Sequence, residues 1–92
     1  MPKIYFDHEK LDVYQKALAF VAWSTDLMNQ VSAKAAVKDQ LDRASTSIVL
    51  NTAEGNGKFS FKDRKRFLEI AMGSTVESAA CLDILVAKSL LA

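Results

Sequence analysis

Apolar positions recur at spacings of three and four along three segments of the chain, the period of an amphipathic helix. The first segment, about residues 11–31, carries Leu11, Tyr14, Leu18, Val21, Thr25 and Met28 on one stripe. Ala17, Phe20, Ala22, Trp23 and Leu27 widen its apolar surface beyond that stripe. Asp7 and Asp12 are both candidate caps, so the pattern leaves the start open over several residues. Ser32 closes the segment and is a candidate cap for the next one.

The second segment, about residues 35–54, carries Val37, Leu41, Ala44, Ile48 and Thr52. A polar row of Arg43, Ser47, Asn51 and Glu54 lies on a neighbouring face, with Ile48, Val49 and Leu50 crowding its flanks. That row reads either as a solvated face or as an interfacial hydrogen-bonding row, and the sequence leaves both open. Gly55 is placed to end the helix as a residue tolerant of positive φ, and residues 55–60 form a turn.

The third segment spans about residues 61–91. Ser60 followed by Asp63 resembles a capping box with Asp in place of Glu. Phe67, Leu68, Ala71, Thr75, Leu82 and Leu85 mark its apolar side. Gly73 interrupts it at a cost of about 1 kcal/mol relative to Ala, which a close helix approach would explain. From Ala79 onward the segment is apolar on most sides, with Asp83, Lys88 and Ser89 to wet it. No stop signal precedes Leu90-Leu91-Ala92, so the helix is expected to run on. A partner surface, or a further C-terminal helix, is expected to cover this segment.

Composition fits this all-α reading. The 92 residues are 50% hydrophobic and 25% charged, and suit one helical-bundle domain over 1–92, with 1–10 as an N-terminal lead-in. The single proline is Pro2, and no glycine precedes Gly55. A net charge of +1 excludes a chain that is basic throughout. Cys81, the only cysteine, reads as a small buried hydrophobe, which leaves no disulfide or thiolate zinc site within one chain. His8, the only histidine, reads as a surface residue. There is no Glu-x-x-His pair and no phosphate-binding glycine loop. Catalytic, cofactor-binding and metal-ligating residues are therefore expected to be none. The N-terminus shows no apolar signal region, and Ala79–Leu82 and Ile84–Ala87 are too short to span a bilayer, which takes about 20 apolar residues. A reducing cytoplasm without membrane contact is the expected setting.

One turn departs from this neutral background. Lys58, Lys62, Arg64, Lys65 and Arg66 against Asp63 give a local charge of +4, with Phe59 and Phe61 interleaved. The cations can neutralise phosphates, and the rings can stack on unpaired bases. The competing reading has the cations solvating a loop that Phe59 and Phe61 anchor to the bundle. Cations at a helix N-terminus oppose its dipole, so they are not placed there to stabilise that helix.

Three blocks resemble a known family. They are Leu11-Asp12-Val13-Tyr14-Gln15-Lys16-Ala17; Gln40 to Ile48 followed by Asn51-Thr52-Ala53-Glu54-Gly55; and Arg66 to Ala71 with Gly73, Ser74 and Glu77. The family is the four-helix-bundle proteins encoded in intervening sequences of bacterial 23S ribosomal RNA genes. The resemblance covers about residues 4–91, with Thr52 and Met72 departing from the usual residue types. It implies an antiparallel four-helix bundle, of which this chain holds three helices and lacks the fourth. It also implies a homopentamer without established enzymatic activity. A related group of retroelement accessory proteins shares the fold and ring and binds nucleic acid, so RNA or DNA is the expected ligand by analogy. The resemblance gives Arg43, Ser47, Asn51, Glu54, Gly55, Glu69, Gly73, Ser74 and Glu77 an assembly role. Within it, Arg43 is expected to pair with Glu69, Glu77 or a neighbouring subunit's acid.

Overall fold

A computed structural model describes residues 7–31 and 36–91. The described residues are all-helical, without a strand. A short 3-10 helix, Asp7–Lys10, leads into α1 (Asp12–Asn29), α2 (Ala36–Asn56) and α3 (Phe61–Ala87). Consecutive helices are antiparallel and in contact, the expected topology for short connections. The three described helices neither fill nor exclude a four-helix arrangement.

The expected caps hold in part. Ser60 caps α3, its Oγ accepting the Asp63 N–H at 3.1 Å. Leu11 occupies the cap position of α1 and supplies no side-chain bond, so neither Asp7 nor Asp12 caps that helix. Asp12 sits in the first turn instead, paired with Lys16 at 2.9 Å. Ser32 and the expected start of α2 at Ala35 lie outside the described residues.

Gly55 takes the close-approach role expected of Gly73, and neither glycine ends a helix. Gly55 lies inside α2, and no glycine has positive φ. A Cβ on Gly55 would stand 3.2 Å from the Phe67 Cβ and 3.4 Å from the Arg64 carbonyl, so this glycine lets α2 meet α3 closely. Gly73 is exposed and has nothing within 4 Å of its Cβ direction, so no close approach explains it.

α3 also ends sooner than expected. It stops at Ala87, and Ser89 takes the left-handed conformation at φ 58°. The Ser89 N–H bonds the Val86 carbonyl and the Leu90 N–H bonds the Leu85 carbonyl, both at 2.9 Å, which is a Schellman stop. Leu90 and Leu91 then fold back onto the core.

The core sits where the end of α1, the start of α2 and the end of α3 converge. Met28, Val31, Val37, Leu41, Cys81 and Leu85 form it, with Phe20, Leu27 and Leu82 packed alongside. A smaller cluster of Ala17, Ile48 and Val49 joins the other halves of α1 and α2. The five positions Val37, Leu41, Ala44, Ile48 and Thr52 are all buried as expected. On α1 the covered stripe is displaced to Ala17, Ser24 and Met28, while Leu18 and Trp23 are exposed. On α3 it is Ala71, Ser78, Cys81 and Leu85, while Leu68 and Thr75 face outward.

α3 carries a further correction. By length and composition it is apolar enough to cross a membrane, with a mean hydropathy of 1.5 over a stretch that is 22% buried. Contiguous runs understate this, because Glu77 and Asp83 interrupt the runs without lowering the average far. Glu77 would lie near the centre of such a stretch, and a carboxylate there costs about 2.5–3.5 kcal/mol on insertion scales. Composition of this kind also arises in a helix covered by other helices.

Candidate functional site

Two surfaces stand out, and both follow from how α1 and α3 lie on α2. Each packs on α2, yet their Cα atoms stay more than 8 Å apart among the described residues. The Cα framework is correspondingly flat, 44 × 37 × 17 Å. An open apolar groove therefore runs between α1 and α3. One part of it, about 300 Å³, is lined by Val13, Ala17 and Phe20 of α1, Ile48 of α2, and Ala79 and Leu82 of α3. A second part, about 420 Å³, shares Leu82 and continues past Trp23, Leu27, Val86 and Leu91. Lys16 stands at the rim, its pKa raised by the hydrogen bond and charge of Asp12.

The seam on the other side of α2 is closed by small and polar groups. The Ser47 and Ser74 hydroxyls share a hydrogen bond of 2.8 Å across it. Asn51 Nδ2 donates to the Ser47 carbonyl at 2.9 Å and to Ser47 Oγ at 3.0 Å. For Ser47 and Asn51 the polar row is thus an interfacial hydrogen-bonding row. For Arg43 and Glu54 it is exposed. Arg43 pairs with neither Glu69 nor Glu77 in this chain. Glu69 instead faces Lys65 at 3.9 Å, and Glu54 faces Lys58 at 3.3 Å. Among the described residues neither Arg43 nor Glu77 has an ion-pair partner.

The basic turn joins the end of α2 to the start of α3. Phe67, rather than Phe59 or Phe61, anchors it. The Phe67 Cβ faces Gly55, and its ring carries Lys58 Nζ 4.9 Å and the Arg66 guanidinium 5.4 Å from its centroid. Arg64 Nε donates to the Lys58 carbonyl and fixes the backbone of the turn. Lys62 has no partner among the described residues. Phe59 is 101% exposed and Phe61 81% exposed, so the anchoring reading fails for both. The two ion pairs here join exposed side chains, worth about 0–1 kcal/mol each, and yield readily to a competing anion.

Among the described residues no three His, Cys, Asp or Glu come together as a metal site. Cys81 is buried as expected, and burial pushes its thiol pKa up, with the Glu77 carboxylate adding to the rise. A thiol held protonated is a poor nucleophile. His8 is half-buried rather than fully at the surface, its ring meeting Tyr14 edge-on at 4.7 Å. Sequence reasoning missed Ser24, Ser45 and Ser78, all buried, because a serine carries no apolar signal. Each donates to a carbonyl of its own helix, at 3.2, 3.1 and 2.9 Å.

No curated protein and no solved structure matches the chain. The family model described as 23S rRNA-intervening sequence protein matches residues 9–92, which includes the groove, the seam and the basic turn, and the chain belongs to that family.

Proposed function

We propose that the chain is a non-catalytic helical subunit that assembles with copies of itself in the cytoplasm, by the family expectation as a ring of five. The open apolar groove between α1 and α3 carries this reading. Val13, Trp23 and Val86 line it and are each more than half exposed, and contiguous exposed apolar surface of this kind marks an interface. Glu77 and Asp83 on α3 favour a protein cover over a lipid one. The free Arg43 supplies a charge that a neighbouring subunit's acid would meet.

The test is native mass spectrometry of the wild type beside Val86→Glu. Val86 lines the groove and is half exposed, so the change leaves the folded chain intact. Multi-subunit species in the wild type and smaller ones in the variant, at equal helicity, support the proposal. Monomers in both refute it.

A second reading rests on a separate observation, the bare phenyl rings of Phe59 and Phe61 within a run of cations. It is that the turn Lys58–Arg66 binds nucleic acid. Filter binding with a mixed RNA pool, at low and moderate salt, tests it. Retention that falls steeply with salt supports it, and no retention at low salt removes it.

A further inference from the structure

Resting on the nucleic-acid reading of the basic turn, we infer that the ligand is single-stranded, held by stacking of unpaired bases on Phe59 and Phe61. An exposed phenylalanine ring forgoes about 1.5–3 kcal/mol of burial. Two such rings, with one residue between them, are left bare here on a chain that half-buries Phe67 close by. Single strands offer faces for these rings, because their bases are free to splay. A duplex keeps its base faces inside its own stack and would gain nothing from them.

The cations fit a flexible polyanion. At about 100° per residue, Arg64 and Lys65 project on either side of Phe61, while Lys62 and Arg66 project about 100° and 140° away from it. A flexible strand can bend around the helix end and reach all four. A flat anionic membrane that accepted the Phe61 ring would leave Arg66 pointing largely away.

The turn is also held in place before any ligand arrives. Ser60 caps α3, Arg64 ties to the Lys58 carbonyl, and Lys58 and Arg66 lie on the Phe67 ring. Phe59 and Phe61 take part in none of these contacts. Their removal therefore leaves the turn standing, which makes them separable from the fold.

Fluorescence anisotropy with the full chain tests the inference. The probes are a ten-nucleotide uridine RNA, a ten-nucleotide thymidine DNA, a ten-base-pair RNA duplex, and vesicles of phosphatidylserine and phosphatidylcholine. The variants are F59A/F61A, F59L/F61L and F59W/F61W, with helicity checked by circular dichroism. The expected result is binding of the single strands well above the duplex. It weakens about tenfold per ring lost in the Ala and Leu pairs, and persists in the Trp pair. The salt dependence should not change, because the cations remain. RNA against DNA separates the two sources of the same chemistry. Equal binding of duplex and single strand, unaffected by the Phe changes, overturns the stacking inference and leaves the nucleic-acid reading standing. Absence of binding to every nucleic acid overturns both. Preferential binding of the vesicles, lost with the rings, reassigns the turn to a lipid surface and overturns it as well.

Discussion

The hydroxyls of Ser47 and Ser74 meet at 2.8 Å across the seam between α2 and α3, and Asn51 donates to the first of them. The seam is thus joined by a small polar network where an apolar residue would be the ordinary choice. Such a network sets register, because a helical shift of one turn would separate the partners.

Ser47→Ala is expected to cost about 1 kcal/mol, since it removes a partner from both Ser74 and Asn51. The double variant Ser47→Ala/Ser74→Ala should cost less than the sum of the single changes. Urea midpoints of the four proteins measure this. Strict additivity would show that the hydrogen bond contributes nothing.

Gly55 and Gly73 are expected to respond in opposite directions. Gly73→Ala adds a methyl group where nothing lies within 4 Å, so the helix gains about 1 kcal/mol. Gly55→Leu drives a side chain against the Phe67 Cβ and the Arg64 carbonyl, and should lose about 1–3 kcal/mol. Thermal unfolding of both variants checks the sign of each change.

Ser89→Gly is expected to stabilise. Serine at φ 58° carries a strain of about 1–2 kcal/mol that glycine lacks. Part of that gain is offset by about 0.5–1 kcal/mol of extra chain entropy. The net is a modest rise in Tm, by a few degrees. A fall would mean that the Ser89 side chain holds the stop.

Cys81 gives a pH signature. Burial raises its thiol pKa in the folded chain, so at high pH the unfolded chain loses that proton first. The folded form then binds more protons, and stability declines as pH rises through the ordinary thiol range and beyond. Cys81→Ala should flatten this part of the curve relative to wild type. Urea midpoints between neutral and alkaline pH decide it, and parallel curves would count against it.

The legibility of the fold varied with how fully each helix is covered. α2 has a neighbour on two sides, so Val37, Leu41, Ala44, Ile48 and Thr52 are buried where the pattern puts them. α1 and α3 border the open groove and carry more apolar positions than they cover, so the pattern favoured Leu18 and Leu68 over Ser24 and Ser78. Those serines bury at little expense by bonding their own helix, and nothing in hydropathy marks them. Ser60 and Asp63 were legible as a cap because side chain and spacing carry the signal. Ser89 was not, since serine is no ordinary stop residue. The five cations of the turn were plain in the sequence, but whether Phe59 and Phe61 anchor it depends on how Phe67 packs against Gly55.

The most direct test of the assembly proposal remains the subunit count. Native mass spectrometry of the wild-type chain at low micromolar concentration should show a dominant multi-subunit species, five by the family expectation. Val86→Glu should shift it to smaller species without loss of helix. A wild-type chain that is monomeric and stably folded, with Val86→Glu indistinguishable from it, would contradict the account.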